Sequence, residues 1–130
     1  CIQDYKISQL QLVPPILVFL AKHPLCNEFN LSSLRRILCG AAPAGKDICD
    51  ALVKRYPHIQ SIEQGYGMTE VTTGSHLPDI GSRAKFGSCG KLVHGLQMKI
   101  VDVASGEILG TGKAGEICIK GPTVMKGYLG

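Results

Sequence analysis

The chain has 130 residues, of which 45% are hydrophobic, and its 14 basic and 10 acidic side chains give a formal net charge of +4. This small and scattered basic excess, together with only 5% aromatic residues, argues against nucleic acid as a partner. The longest apolar run, around residues 16–21, is far too short to span a bilayer and no secretory leader is visible, so we expect a cytoplasmic chain that buries one core or parts of two.

The N-terminal region predicts one strand and one helix. Apolar and polar residues nearly alternate over residues 7–13, which is typical of a strand. The Pro14-Pro15 pair suits the first turn of a helix over residues 16–22, and Pro24 stops that helix. Its apolar side chains are expected to be mostly core. Residues 31–34 predict a short helical turn.

Residues 36–64 have the order strand, helix, strand. Residues 36–39 form a short apolar run that enters a loop of small residues, 40–45. From Lys46 the apolar residues recur at helical spacing until Pro57, and residues 59–64 again have the character of a strand. Such a unit normally makes two parallel strands joined by a right-handed crossover.

Two loops of small residues, 40–45 and 65–70, each follow one of these strands. In a parallel pair both carboxyl ends lie at the same edge of the sheet, so the two loops must lie close to one another. Open α/β sheets bind ligands at that edge. The sequence therefore predicts a ligand site between the two loops.

The stretch Gln64-Gly65-Tyr66-Gly67-Met68-Thr69-Glu70 has the residue types of a nucleotide site. Glycine lets the main chain approach a ligand, tyrosine offers a π face, and a threonine hydroxyl can donate to a phosphate oxygen. A carboxylate beside a phosphate repels it unless a cation lies between them, so Glu70 makes electrostatic sense as a ligand of Mg²⁺.

Other interpretations of this stretch stay open. Tyr66 could be a packed aromatic, Thr69 could cap a helix with Glu70 in its first turn, and the whole stretch could be a plain loop. A dinucleotide-binding domain is a poorer match, because Glu70 stands where the final glycine of that motif belongs.

After Thr73 helical periodicity disappears and glycine becomes frequent. Residues 96–100 and 116–120 alternate between apolar and polar, as half-buried antiparallel strands do, and residues 104–107 predict a turn between two strands. We expect a boundary near residues 73–82. The predicted fold class is thus α/β: a parallel strand–helix–strand unit over residues 1–78, followed by an antiparallel, β-barrel-type unit over residues 79–130.

The six cysteines follow no pattern of a metal site or disulfide framework. They are irregularly spaced, and no two stand at the two-residue gap that zinc sites favour. We therefore expect reduced thiols at Cys1, Cys26, Cys39, Cys49, Cys89 and Cys118.

Six short motifs follow one another along essentially the whole chain. They are Leu12-Val13-Pro14-Pro15, Gly40-Ala41-Ala42-Pro43, the stretch of residues 64–70, Gly87-Ser88-Cys89-Gly90-Lys91-Leu92-Val93, Gly115-Glu116-Ile117-Cys118-Ile119-Lys120-Gly121-Pro122 and Lys126-Gly127-Tyr128-Leu129. In this order and spacing they resemble the adenylate-forming superfamily, in the branch of acyl-CoA ligases, coumarate–CoA ligases, fatty acyl-CoA synthetases and beetle luciferases. Methionine at position 68 favours the acyl-CoA ligase type, because amino-acid-activating domains usually carry proline there.

The resemblance implies an enzyme that uses ATP and Mg²⁺ to convert a small-molecule carboxylic acid, such as one of fatty acid metabolism, into an acyl adenylate. Transfer of the acyl group to coenzyme A would follow. The implied nucleotide-binding residues are Gly40, Ala41, Ala42, Pro43, Gln64, Gly65, Tyr66, Gly67, Met68 and Thr69. Of these, Ala41, Ala42 and Gly67 would leave room for the acyl group. Thr69 on the α-phosphate and Glu70 on Mg²⁺ would be the catalytic pair.

The chain lacks other parts that the resemblance calls for. The upstream phosphate loop, the downstream Thr-Gly-Asp segment and the mobile C-terminal domain with its catalytic lysine are missing, and the chain begins at Cys1 without a methionine. We therefore expect a piece of a larger protein that is inactive without the remainder of its parent. The parent's address would be cytoplasmic, with a peroxisomal one open because its signal would lie outside these residues.

Several alternatives to an acyl-CoA ligase stay open. They are a luciferase-like enzyme, another adenylate-forming enzyme and a non-catalytic nucleotide-binding paralogue. Near the site, His76 could line the acyl pocket, although a solvated or packed histidine is the favoured interpretation. Lys126 could contact coenzyme A or the mobile domain, although a solvated lysine is favoured.

Overall fold

The computed structural model describes residues 1–79 and 85–129. In chain order, its helices and strands are α1 (Ile2–Tyr5), β1 (Gln9–Leu12), α2 (Pro14–Lys22), β2 (Arg36–Cys39), α3 (Lys46–Arg55), β3 (Ser61–Gln64), β4 (His76–Leu77), β5 (Lys91–Leu92), β6 (Gln97–Val101) and β7 (Glu116–Lys120). Two 3₁₀ helices, Pro24–Glu28 and Thr69–Val71, complete the described elements.

The first three strands form a parallel sheet in the order β1-β2-β3. In this sheet Leu10 pairs with Ile37, which pairs with Ile62. The predicted strand–helix–strand unit is therefore confirmed, and β1 adds a third parallel strand on its open side.

The predicted strands and helices are right in type and differ at their ends. The first strand stops at Leu12 because Val13, in extended conformation, precedes the Pro-Pro start of α2. Helix α3 ends at Arg55, where the amide of Tyr56 donates to the carbonyl of Leu52. The amide of Ile59 then donates to the carbonyl of Tyr56 in a turn, which delays β3 until residue 61.

One face of the parallel sheet is covered by α2 and α3. Leu17 of α2, Ile37 of β2 and Leu52 of α3 are fully buried and belong to one apolar cluster. Ile37 and Cys39 alternate with Leu38 along β2, so Leu38 faces the other side of the sheet. That second face and the carboxyl ends of the strands are left to form a site.

The second part of the chain is built from short antiparallel pairs. β4 pairs with β5, and β6 pairs with β7 over five residue pairs. The predicted turn at residues 104–107 is present, because the Asp102 carboxylate accepts hydrogen bonds from the amides of Ala104 and Ser105. The predicted antiparallel strands are confirmed, and so is the mixed α/β fold class.

The half-buried alternation expected for these strands is wrong for β6, whereas the three central residues of β7 are half-buried between exposed ends. The first three residues of β6 are all exposed, and Met98 keeps 44% of its surface accessible. Inward burial is limited to the strand's end, at Val101.

The pairing changes from parallel to antiparallel between Gln64 and His76. Residues 80–82 of the expected boundary region lie outside the described residues, so the division at residues 78 and 79 stays a prediction. None of the helices in residues 1–79 and 85–129 is long and apolar enough to cross a membrane.

Candidate functional site

A cavity of about 730 Å³ lies at the carboxyl edge of the parallel sheet, on the face that the helices leave open. The ends of β1 and β2 form its floor, and the chain after β3 forms its wall. It is lined by Gln11, Leu12, Val13, Leu38, Cys39, Gly40, Ala41, Gly65, Tyr66, Gly67, Met68, Thr69, Thr72, Thr73, Gly74 and Leu77. The two loops predicted to converge do converge, and the amide of Gly65 donates to the carbonyl of Cys39 at 3.0 Å.

The first loop reaches the cavity through its first two residues. Gly40 and Ala41 line the cavity, whereas Ala42 and Pro43 are not among the described lining residues. Ala41 has φ of 69°, in the left-handed region that alanine seldom occupies. Such a conformation persists only where the surrounding structure holds it.

Gln64 holds this loop in place. Its side-chain oxygen accepts a hydrogen bond from the amide of Ala44 at 2.9 Å, and its side-chain nitrogen approaches the carbonyl of Ala44 at 3.5 Å. Both polar atoms of the side chain are thus hydrogen-bonded to the protein's own backbone. Gln64 connects the end of β3 to the loop after β2. It is not among the described residues that line the cavity.

Tyr66 forms part of the cavity wall and is held by His76. The two residues exchange backbone hydrogen bonds of 3.0 and 2.9 Å, and their rings meet edge to face at 5.7 Å. The Tyr66 side chain remains 37% exposed. It therefore has both a packed edge and an accessible surface.

Position 67 must be glycine, because the main chain at Thr73 passes directly over it. A Cβ at this position would lie 1.7 Å from the carbonyl oxygen of Thr73, far inside any contact distance. At Gly65 the nearest atoms, from His76 and Leu77, would be at 3.4 Å. The two glycines of the stretch thus differ: one allows a close crossing of the backbone, and the other is not sterically required.

A tight turn brings Thr73 over Gly67. The single 3₁₀ turn Thr69–Val71 is followed by Thr72 and Thr73, whose φ angles are 54° and 83°. Positive φ is a marked outlier for a β-branched residue. Both threonines line the cavity, and sequence reasoning missed them because nothing in a Thr-Thr pair predicts this conformation.

Thr69 lines the cavity, whereas Glu70 is not among the described residues that line it. The cap interpretation of Thr69 is wrong, because the N-cap position belongs to Met68 and Thr69 is already inside the turn. Glu70 does lie in the first turn.

Glu70 is contacted by residues 123–128, which we name the strap. The amide of Met125 donates to the Glu70 carbonyl at 2.9 Å, and the hydroxyl of Tyr128 donates to Oε1 of the Glu70 carboxylate at 2.8 Å. The Thr72 hydroxyl donates to the carbonyl of Thr123 at 2.7 Å. A hydrogen bond from its own backbone amide and the Tyr128 hydroxyl lower the pKa of Glu70, so the carboxylate is ionised at neutral pH.

One ionised carboxylate suits a magnesium ion that takes its other ligands from phosphates and water. Within residues 1–79 and 85–129, no group of three or more His, Cys, Asp and Glu side chains could hold a metal ion. Glu70 therefore fits Mg²⁺ as one ligand of a nucleotide-bound ion and not as part of an all-protein cage.

His76 is packed behind the cavity wall, as the favoured interpretation predicts. It is 5% exposed, its Nδ1 lies 3.0 Å from the hydroxyl of fully buried Ser75, and its Nε2 lies 3.2 Å from the sulfur of Met98. Burial lowers the pKa of His76 and favours the neutral ring.

The predicted side chains away from the cavity have ordinary surroundings. Lys126 is exposed. All six cysteines are free thiols, of which Cys26, Cys39 and Cys49 are buried. Burial, more than the neighbouring Cys49, raises the pKa of Cys39, so this thiol in the apolar cluster is protonated at neutral pH.

Comparison with known sequences identifies a family and several relatives of this chain. The sequence profile of the AMP-binding enzyme family matches residues 1–129. A 4-coumarate–CoA ligase of Pinus taeda is 43% identical over 132 residues, covering 98% of this chain and 24% of the relative. The luciferin 4-monooxygenase of Photinus pyralis is 41% identical over 128 residues, covering 98% of this chain and 23% of the relative.

Comparison with solved structures agrees with the sequence relatives. A long-chain-fatty-acid–CoA ligase from Archaeoglobus fulgidus superimposes with a TM-score of 0.84 at 28% identity, covering 98% of this chain and 27% of that one. The chain spans about a quarter of the length of the relatives it matches. Its fold is that of a fragment of the N-terminal domain of adenylate-forming enzymes, and the chain belongs to the family of AMP-binding enzymes.

Proposed function

We propose that the full-length protein containing this chain is an ATP-dependent acid–thiol ligase, which converts a carboxylic acid to an acyl adenylate and transfers the acyl group to coenzyme A. The observation that carries the proposal is the convergence of the two small-residue loops on a cavity of about 730 Å³ at the carboxyl edge of a parallel sheet. That volume is in the usual range of small-molecule sites, roughly 300–1,000 Å³.

In this proposal the first loop and Tyr66 bind the nucleotide. The exposed part of the Tyr66 ring stacks near the adenine, while its packed edge on His76 fixes the ring before the ligand arrives. Gly40 and Ala41 border the adenine and the acyl group. Ala42 and Pro43 act from behind them by shaping the loop, which Gln64 ties to β3 through Ala44.

Main-chain packing leaves room for the acyl group beside the nucleotide. No side chain stands at Gly65 or Gly67, and Ala41 offers a single methyl group. Met68 follows Gly67 along the wall of the cavity. Fatty and aromatic acids are both candidates for the substrate.

Thr69 and Glu70 carry the chemistry in this proposal. Attack of a carboxylate on the α-phosphorus brings two anions together, so the site needs hydrogen-bond donors and positive charge. The Thr69 hydroxyl, at the cavity wall, donates to the α-phosphate. Mg²⁺ when bound would supply positive charge to the phosphates, with the Glu70 carboxylate as its protein ligand.

The experiment is ATP–pyrophosphate exchange by the full-length protein with a panel of fatty and aryl acids, followed by thioester formation on adding coenzyme A. Exchange with at least one acid is expected, and exchange without thioester would favour a luciferase-like or other adenylate-forming enzyme. No exchange with any acid by the folded protein would favour the non-catalytic paralogue. We expect no turnover from the isolated 130-residue chain, which needs the remainder of its parent.

The matched variant for this proposal is Glu70→Gln. It keeps the shape of the side chain and removes the charge that attracts Mg²⁺, so we expect exchange to fall by about 10–100-fold. Because Glu70 is only partly buried and glutamine can still accept the hydrogen bond of Tyr128, thermal unfolding should change little. An unchanged exchange rate would remove Glu70 from the metal role. We further propose a cytoplasmic location for the full-length protein, with a peroxisomal one as the alternative.

A further inference from the structure

The Glu70 carboxylate accepts a hydrogen bond from a residue 58 positions away in the sequence. The hydroxyl of Tyr128 donates to Oε1 of Glu70 at 2.8 Å. Tyr128 comes after β7, in the antiparallel part of the chain, whereas Glu70 stands in the 3₁₀ turn at the cavity. This contact therefore links the two parts of the chain at the acidic side chain of the site.

The ring of Tyr128 contributes little packing. Its side chain is 70% exposed, so burial of apolar surface does not explain an aromatic residue here. The polar contact is its main described interaction. A charge-assisted hydrogen bond to a carboxylate is stronger than one between neutral groups and restricts the carboxylate's rotation.

Two further hydrogen bonds connect the strap to the 3₁₀ turn and its neighbour Thr72. The amide of Met125 bonds to the Glu70 carbonyl, and the Thr72 hydroxyl bonds to the carbonyl of Thr123. These two hydrogen bonds fix the main chain of the strap on the 3₁₀ turn. The Tyr128 hydroxyl is then available for one task, which is to orient the carboxylate.

We propose that Tyr128 is a positioning residue that holds the Glu70 carboxylate in the orientation needed to bind a nucleotide-bound divalent cation. This inference rests on the proposed function, because it takes Glu70 as the ligand of that cation. Groups that hydrogen-bond to a metal ligand typically affect metal affinity or activity by about 10–100-fold.

The test uses Tyr128→Phe in the full-length protein, with Mn²⁺ as a paramagnetic probe. Electron paramagnetic resonance in the presence of ATP measures Mn²⁺ binding directly, and pyrophosphate exchange is measured over a range of Mg²⁺ concentrations. We expect the Mn²⁺ dissociation constant and the Mg²⁺ concentration for half-maximal exchange both to rise about tenfold, with little change at saturating Mg²⁺. Tyr5→Phe is the matched control, since Tyr5 is 79% exposed on α1 and is not among the described residues that line the cavity.

A double-mutant cycle separates positioning from a general structural role. If Tyr128 acts through the carboxylate, Tyr128→Phe should have no further effect on Mn²⁺ binding or exchange in a Glu70→Ala background. An effect that persists there, or a Tyr128→Phe protein that binds Mn²⁺ like the wild type, overturns the inference. Unchanged thermal unfolding of Tyr128→Phe establishes that the variant is folded.

Failure of the proposed function is recognised separately. A wild-type protein that shows neither exchange with any acid nor ATP-dependent Mn²⁺ binding overturns the proposed function and this inference with it. The inference alone is overturned if the wild-type protein is active, or binds Mn²⁺ with ATP, and Tyr128→Phe behaves like the wild type.

Discussion

In the first 64 residues two helices and three strands share one apolar cluster, whereas β6 and β7 form a ribbon whose described residues include one that is buried, Val101. Of the fifteen buried apolar residues among those described, twelve belong to that cluster. Ile108 and Val103, between the two strands of the ribbon, are 69% and 80% exposed. The parallel part is thus stabilised by its own core, and the ribbon is held mainly by backbone pairing.

The chain as a whole exposes more surface than a compact monomer of its mass. The chain exposes 9227 Å², whereas a compact monomer of 13.9 kDa is expected to expose roughly 6,700 Å². The difference is in the range of large protein interfaces. We therefore expect the remainder of the full-length protein to cover part of the surface of this chain.

The candidate site lies where these two parts meet. The core-supported strands supply the floor of the cavity and the first loop, and the strap supplies the contacts on Glu70. A binding cavity can thus be rigid on one side while its acidic group depends on a part of the chain with little core of its own.

The largest effect expected from this contrast is that of a cavity in the core. Leu52 is fully buried between α3 and the sheet, so Leu52→Ala should lower the free energy of unfolding by about 2–5 kcal/mol. Ile108→Ala in the ribbon is the matched control and should change it by no more than about 0.5 kcal/mol. Urea unfolding of the full-length protein measures both. Equal losses would mean that another part of the protein covers Ile108, which would break the contrast between the two parts.

The next effect concerns the close crossing at the cavity wall. Gly67→Ala forces a Cβ to within 1.7 Å of the Thr73 carbonyl oxygen, so the Thr72-Thr73 turn must shift. We expect a loss of about 1–3 kcal/mol in unfolding free energy, as for other overpacked sites, and a clear loss of pyrophosphate exchange. Gly65→Ala, whose Cβ would make contacts of 3.4 Å, should be nearly neutral in stability. Equal stability of the two variants would argue against the close contact between Gly67 and the Thr73 carbonyl.

Local patterns made the parallel part of the fold predictable. Residues 36–64 carry helical periodicity between two short segments with the character of strands, and the geometry of parallel strands then brings loops 40–45 and 65–70 together. The Pro-Pro pair marked the start of α2 for an equally local reason. Features that depend only on neighbouring residues and on strand direction could therefore be inferred from the sequence.

The remaining features depend on contacts between distant residues. Tyr128 and Glu70 are 58 positions apart, and no spacing rule joins them, although Tyr128 stands in one of the recognised motifs. Gly67 could be predicted as special, but the Thr73 carbonyl that requires it could not. The exposure of β6 was also unpredictable, because alternation along a strand tells which faces differ and not whether a partner covers one of them.

The smallest expected effect tests whether burial of His76, where the two parts of the chain meet, makes local stability depend on pH. His76 of β4 is 5% exposed, between Tyr66 on one side and Met98 of the ribbon on the other, and burial lowers its pKa. The unfolded chain therefore binds a proton more readily below about pH 6.5, so this contribution to stability is present above that pH and is lost as the pH falls toward the pKa of the folded protein. Hydrogen exchange of residues 66–77 in the full-length protein, corrected for intrinsic rates, should show reduced protection at about pH 5.5 compared with about pH 7.5. His76→Gln should remove this pH dependence, whereas His94→Gln, at an exposed position, should keep it. A pH dependence that survives in His76→Gln would mean that another group titrates at the junction, and that His76 is not what makes it sensitive to acid.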